Sequence, residues 1–489
     1  MIRQELKQLL AGVARAVPHG PGLPLSAWGL TRDASGGLIQ SGVALASLLE
    51  RHDSPLNVLD ESRLERNAAR FLTVPPGATA GCEAYYSYKT NPVPQVLRRL
   101  HALGVKAEVG SAYELWLALE LGVPPEAIVF DGPAKTARAL AMAIDRNVGL
   151  INLNGRSEIA LVAEVARSLH RRPRVGLRVV VPGGRAGQFG ERIETGAALH
   201  AYREALAHPE LQVVGLHSHV NGELADLEAL ESFVRPLLAF TDTLRGQLGL
   251  TLEVLDFGGN LPCPTVSKLP PSARKLAVAF GREPDPRPPE AVLSIEAYVT
   301  RLVELVERHA TQQGAPRPRI FVEPGRAMTS DTMLQLCRVL SVREEDETGC
   351  TWAILDAGIN VAEPVPHELH QLLPVKPRGT GTRRYRLCGP SCTLGDQLYP
   401  AVRLPELAVG DALAIMDTGA YFVPLETCFS FPRAGVVALK QGRVEVLRRP
   451  ETFEDLIARD GLRPRPDAER PHRRELPTIP LPEGFFTRL

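Results

Sequence analysis

The chain has 489 residues, too many for one ordinary core and enough for two domains, one of them a barrel of roughly 250 residues. Its 56 basic and 56 acidic residues cancel, so charge announces no nucleic acid or other polyanion as a partner. A composition of 44% hydrophobic and 23% charged residues is that of a soluble chain with a sizeable core, and no apolar run approaches the roughly 18 residues of a membrane span.

In chain order, residues 1–17 mix acids and bases into an apolar pattern and read as an amphipathic helix, not a secretion signal. Residues 18–55 are loop-like, and the whole stretch 1–55 is expected to be an extension that packs partly on a β-domain. From Leu56 short apolar runs alternate with helical patterns. LNVLD, AYYSYK, VKAEV, AIVFDG, GLINL, VGLRVVV, VVGLHSHV, LEVLDFGG and RIFVEPG are the strand-like pieces. Such alternation demands parallel strands with crossover helices, so residues 56–335 are expected to form a (β/α)8 TIM-like barrel, giving an α/β fold. Chemistry in that architecture sits at the C-terminal ends of the strands, where Lys89, Glu108, His219, Gly258, Gly259, Glu323 and Arg326 fall. The proline-dense stretch 262–290 reads as a surface excursion. Residues 336–489 read as a C-terminal β-rich domain, with Gln441-Gly442 as a hairpin turn and an irregular tail from Arg463. Seven scattered cysteines, none spaced C-x-x-C, argue for reduced thiols, against structural zinc and for a cytoplasmic setting.

Only eight lysines occur, so a lysine that forms a Schiff base has few candidates. Lys89 ends the run AYYSYK, where burial would lower its pKa for imine chemistry; alone, it reads more readily as a solvated turn residue. The pair Gly258-Gly259 in LDFGGN lets backbone N–H groups approach a phosphate, or simply makes a turn. In EPGR, Glu323 can meet a protonated ring nitrogen and Arg326 a phosphate, unless the two are a structural ion pair. His217 and His219 share one strand face, so one can stack on a flat ring; no third ligand for a metal is found beside them.

These motifs, in this order, resemble the fold-type III pyridoxal-phosphate decarboxylases, the family of the ornithine, arginine and diaminopimelate decarboxylases, over residues 54–435. SPLNVLDESRLERN is similar to the start of the family's barrel. YYSYKTN resembles the cofactor-lysine motif, which implies that Lys89 carries pyridoxal 5'-phosphate. KAEVGSAYEL implies cofactor-side acids at Glu108 and Glu114, and GLHSHVNG implies ring stacking by His219. LDFGGN and EPGR resemble the phosphate loop, Gly258 and Gly259, and the ring-nitrogen motif Glu323, Gly325 and Arg326. GAY places Tyr421 at the phosphate. CGPSCTLGD resembles the segment that enters the partner subunit's site, which implies a homodimer with shared sites and Cys392 as the acid that protonates Cα.

The same resemblance places Thr393, Asp396 and His367 near the substrate. Members acting on ornithine, lysine or diaminopimelate usually carry an acid directly after that cysteine, where this chain has Thr393, and Pro366 precedes His367 where an acid is common. An unpaired ammonium in a closed site costs several kcal/mol, so the expected substrate is not a simple free diamino acid such as lysine or ornithine but has a neutral, acylated or anionic distal group. Further departures are Gln188, Asn221, Gly222 and Asn260. The expected reaction is decarboxylation at Cα; the alternatives are a racemase or epimerase on the same scaffold, or a cofactor-binding homologue without activity.

Overall fold

The computed structural model describes residues 22–460 apart from 185–186, 221, 283, 285–288 and 346–348. The expected helix over 1–17, Asn221 and the tail from 463 lie outside the described residues. Eight strands close a parallel barrel: β1 (Glu83–Ser87), β2 (Lys106–Val109), β3 (Ile128–Phe130), β4 (Leu150–Leu153), β5 (Arg174–Val180), β6 (Gln212–His217), β7 (Val254–Asp256) and β8 (Arg319–Val322). Each pairs with the next, and β8 pairs with β1 through Phe321 and Val322. The crossover helices start where polar caps accept backbone N–H groups, as at Ser111, Thr136, Asp226 and Ser294.

The barrel interior is layered by the two-residue period of its strands. Tyr85, Val129, Leu150, Val214, Val254 and Phe321 form an apolar plug. Two residues further along five of these strands, on the same face, come Ser87, Asp131, Asn152, Asp256 and Glu323, all buried. Polar groups therefore sit on the plug, at the end of the barrel where its strands finish.

Leu56–Asp60, expected to open the barrel, belongs to the second sheet instead. It pairs antiparallel with Met333–Glu345 and parallel with Gly435–Lys440. Its Asp60 nevertheless caps the helix Glu61–Phe71, whose Leu64, Ala68 and Phe71 pack in the main core around the barrel. The β-domain is built around Met333–Glu345, which also pairs with Thr351–Leu355 and Ala412–Met416. The Gln441-Gly442 turn joins Gly435–Lys440 to Arg443–Arg448 in an antiparallel hairpin. Residues of the extension pack on this domain: Trp28, Leu30 and Leu38 share a core with Leu334, Leu373 and Met416, and the Trp28 indole donates to Asp417 at 2.8 Å.

The proline-dense excursion is more regular than expected. It contains the helix Pro271–Phe280, and its Ser267–Lys268 pairs antiparallel with Glu368–Leu369 of the β-domain. Arg274 donates to the carbonyls of Pro366 and Gln397 at 3.1 and 2.9 Å, which ties the excursion down. Residues 451–460 form a separate small unit, a helix Phe453–Ile457 capped reciprocally by Thr452 and Asp455. Among the described residues no helix is long and apolar enough to cross a membrane, and all seven cysteines are free.

Candidate active site

Lys89 lies in the single turn Tyr88–Thr90 that follows β1, and its Nζ donates to Glu108 Oε2 on the neighbouring β2 at 3.2 Å. Glu108 is buried and also accepts from Ser87 Oγ. The lysine side chain remains 52% exposed to the cleft. Burial works to lower its pKa, as the sequence reading expected, but Glu108 and Glu323, with Tyr421 and Asp131, outweigh it. The ammonium is thus held above the ordinary lysine range, which corrects that expectation. Glu114, raised mainly by burial, accepts from Gly110 N at 2.6 Å and braces the turn after β2.

Glu323 follows β8, is 4% exposed, and its Oε1 has no hydrogen-bond partner among the described residues. Its carboxyl is raised well above the usual range, first by burial and then by Asp131, Asp256 and Glu108. His219 faces it, with Nδ1 3.9 Å from Glu323 Oε2, and accepts from Gly259 N at 3.2 Å. Burial, then the positive charges of Lys89 and Arg178, push His219 down to about 4, so its ring is neutral and can lie against another flat ring. Gly258 sits at φ +64°, and a Cβ there would stand 2.6 Å from His219 Nδ1; one on Gly259 would stand 2.5 Å from the Glu323 carbonyl oxygen. Only glycines allow the loop to close this tightly. A Cβ on Gly325 would likewise run into Thr90 Oγ1.

Arg326 is forked onto Glu368 at 2.7 and 2.6 Å, and its guanidinium lies 4.5 Å from the centre of the Tyr421 ring. Tyr421 takes φ +67° and donates its N–H to the Thr90 carbonyl at 2.8 Å, which fixes it beside the lysine turn. Lys89, His219, Gly259, Glu323, Arg326 and Tyr421 line one cleft that is open to solvent.

Of the expected residues, Glu108 and Gly258 stand behind that cleft without lining it, and four others lie outside it. Cys392 and Thr393 lie on an exposed loop beside Leu394, whose side chain is fully exposed. His367 is 71% exposed, 3.4 Å from Glu363. Asp396, expected near the substrate, is buried and spent on the loop: it accepts from the N–H groups of Ile359 and Ser391 at 2.8 and 2.9 Å and from Ser391 Oγ. The expectation that no third donor joins the two histidines is also corrected, since Glu323 lies within 4.8 Å of both.

The sequence reading missed Asp131, Asp256, Arg178 and Glu368. Asp131 and Asp256 were within its reach, because each stands two residues past an inward-facing valine. Glu368 had no local signal, since its partner is 42 residues away.

Residues 62–330, more than half of the chain, match the family described as pyridoxal-dependent decarboxylase, pyridoxal binding domain. The diaminopimelate decarboxylase of Methanothermobacter thermautotrophicus is 28% identical over 434 residues, spanning 86% of this chain and 95% of that protein. That of Actinosynnema pretiosum is 29% identical over 453 residues, spanning 90% and 96%. The solved diaminopimelate decarboxylase from M. jannaschii is similar in fold, with a TM-score of 0.78 at 24% identity, over 90% of this chain and 99% of that one. An unpartnered carboxyl oxygen suits a ring nitrogen, and the glycine turn with Arg326 suits a phosphate. The chemistry of the cleft agrees with the family match, and this chain belongs to the pyridoxal-dependent decarboxylases.

Proposed function

We propose that Lys89 binds the cofactor aldehyde, that Glu323 meets the ring nitrogen with His219 against the ring, and that Gly258, Gly259, Gly325, Arg326 and Tyr421 hold the phosphate. Glu323 Oε1, buried and without a partner in the same cleft as the Lys89–Glu108 pair, carries this reading. Bound pyridoxal phosphate supplies an aldehyde for the substrate amine and a cationic ring that takes up the electron pair left when CO2 departs. Glu108 accepts a hydrogen bond from the Lys89 amine and so orients it. Neutral His219 adds no charge to the cleft. Glu323 keeps the ring nitrogen cationic, which an arginine at that position would not do.

A proton must then return to Cα. Cys392 of a second copy is the donor in this reading, and the β-domain, residues 336–489, completes the site of that copy's partner while residues 56–335 hold the cofactor. An exposed thiol next to a fully exposed leucine supports an interface there.

The substrate is an amino acid whose distal end is not a lone ammonium. Thr393 in place of an acid, and an Asp396 whose carboxylate is already bonded within its loop, support this. The relatives named above are diaminopimelate decarboxylases, which weighs against excluding every diamino acid and favours diaminopimelate as a second reading. That molecule carries a carboxylate as well as an ammonium at its distal end. Released CO2 measured across lysine, ornithine, diaminopimelate and acyl-conjugated amino acids tests both. Efficient turnover of free lysine or ornithine contradicts the first, and no turnover of diaminopimelate contradicts the second.

A further inference from the structure

Among the described residues, the carboxyl, amino and guanidinium groups that line the cleft belong to Lys89, Glu223, Lys268, Glu323 and Arg326. The function proposed above employs Lys89 for the aldehyde, Glu323 for the ring nitrogen and Arg326, itself forked onto Glu368, for the phosphate. Lys268 and Glu223 have no part in it. Lys268 Nζ lies 3.8 Å from Glu223 Oε1, and the two side chains are 62% and 24% exposed. That separation is too long for a hydrogen bond, and so open an ion pair is weak. Among the described residues the Lys268 ammonium makes no hydrogen bond, so its three donors are unspent.

The fold fixes where this ammonium stands. Ser267–Lys268 pairs antiparallel with Glu368–Leu369, Lys268 directly opposite Glu368, and Leu269 N donates to the His367 carbonyl at 2.9 Å. Residues directly opposite in such a pair project from the same face, so Lys268 stands on the side from which Glu368 grips Arg326. Glu223 comes from the loop after β6, four residues past His219. The cleft is deep at one end and open at the other: Glu323 is buried, the Lys89 side chain is 52% exposed and that of Lys268 is 62% exposed. With the ring nitrogen at Glu323 and the aldehyde at Lys89, an amino acid joined at the aldehyde carbon extends toward the open end, where Lys268 is the cation not already committed.

We infer that Lys268 is a specificity-determining residue, whose ammonium receives a carboxylate at the distal end of the substrate amino acid. The inference deepens the proposed function and rests on its placement of the cofactor in this cleft. A distal ammonium would come to lie beside a like charge, whereas a carboxylate gains the charge-assisted hydrogen bond that Glu223, at 3.8 Å, does not make. Glu223 has the same charge as the incoming group, so the pair opens as the carboxylate binds, and a pair this exposed exchanges partners at little cost. The substrate class is then an amino acid with an anionic far end, either dicarboxylic or an acyl conjugate that ends in a carboxylate. Thr393 in place of an acid, and an Asp396 already bonded within its loop, agree with it.

The probes are reduced conjugates of pyridoxal phosphate with alanine, 2-aminoadipate and lysine, secondary amines that cannot turn over. The last two have side chains of similar length that end in a carboxylate and an ammonium. Their dissociation constants are measured by calorimetry on the full chain freed of cofactor. Wild type is expected to bind the aminoadipate conjugate on the order of tenfold more tightly than the lysine conjugate. Lys268→Met, which keeps the length of the stem, is expected to weaken the aminoadipate conjugate by about 10- to 100-fold, the worth of a charge-assisted hydrogen bond, and to leave the alanine conjugate unchanged. Equal losses for the aminoadipate and alanine conjugates place Lys268 on the cofactor phosphate and overturn the inference. So does an unchanged aminoadipate affinity in the variant, or a wild type that has no preference or prefers the lysine conjugate. Should Lys268→Met not fold, Lys268→Gln is read the same way. A folded wild type that binds none of the conjugates sinks the placement of the cofactor itself and is distinguishable from every other outcome.

Discussion

The Arg326 guanidinium holds the Glu368 carboxylate in a two-pronged pair and at the same time lies 4.5 Å from the centre of the Tyr421 ring. Glu368 is buried, and its carboxyl lies below the usual range because His370 and Arg326 outweigh the burial that works to raise it. One arginine thus joins the β-domain, the cofactor loop and the tyrosine.

Arg326→Ala is expected to weaken pyridoxal phosphate binding on the order of 10- to 100-fold, since a charge-assisted hydrogen bond is worth roughly 1.5–3 kcal/mol, and to weaken unphosphorylated pyridoxal far less. Glu368→Gln keeps a partner for the guanidinium but removes the opposing charge, so phosphate-bearing cofactor should bind a few-fold tighter. Absorbance titrations with both ligands decide it. Equal losses for the two ligands would take Arg326 away from the phosphate.

Cys392→Ala is expected to lower kcat by about 10²- to 10⁴-fold, the usual worth of a positioned proton donor, while leaving cofactor absorbance unchanged. If each site is shared between copies, mixing this variant with Lys89→Ala should restore about a quarter of wild-type activity, because half of the dimers are mixed and each has one intact site. No recovery on mixing would place Cys392 and Lys89 in sites that are not shared.

Thr393→Glu supplies the acid that decarboxylases of basic substrates usually carry. Its kcat/KM for free lysine should rise by at least tenfold relative to wild type, the effect of pairing a distal ammonium that is otherwise unmatched. An unchanged ratio of lysine to acyl-conjugate turnover would remove position 393 from substrate choice.

The pH dependence of the cofactor-free protein follows from the buried cluster. His217 and His219, pushed down to about 3 and about 4 chiefly by burial, stay neutral where an unfolded imidazole protonates near 6.5, so they lose stability as pH falls below that value. Asp256, pushed up to about 8 by burial and the Asp131 charge, keeps a proton that the unfolded chain releases near 3.8, so its contribution is lost as pH rises through about 8. Between these limits the two effects oppose each other up to pH 6.5, and above it the carboxyls act alone. Thermal unfolding midpoints should therefore fall between pH 6.5 and pH 8, and fall less in Asp256→Asn. The same drop in that variant would contradict the assignment.

The barrel was legible because alternation of two periods is a local property, and eight of the strand-like runs do form it. Leu56–Asp60 deceived because LNVLD followed by a capped helix looks like every other unit, whereas its partners begin at Met333 and Gly435, far along the chain. Lys89, His219, Glu323 and the glycines were legible from motif order, and the cleft brings them together. Asp396 is bonded within its own loop to the N–H groups of Ser391 and Ile359, and the second of these belongs to a turn that no spacing in the sequence connects to it. Lys89 was placed correctly but its electrostatics were not, since the balance depends on Glu108, Glu323 and Asp131 arriving from three other strands.

The central claim is that Lys89 is the residue covalently joined to the cofactor. Borohydride reduction of the holoenzyme, followed by peptide mass mapping, tests it most directly, because reduction makes the linkage permanent on whichever of the eight lysines carries it. The expected result is one pyridoxyl-phosphate adduct, on the peptide containing Lys89, absent from Lys89→Ala. An adduct on another lysine, or none on a protein that retains its cofactor absorbance, would contradict it.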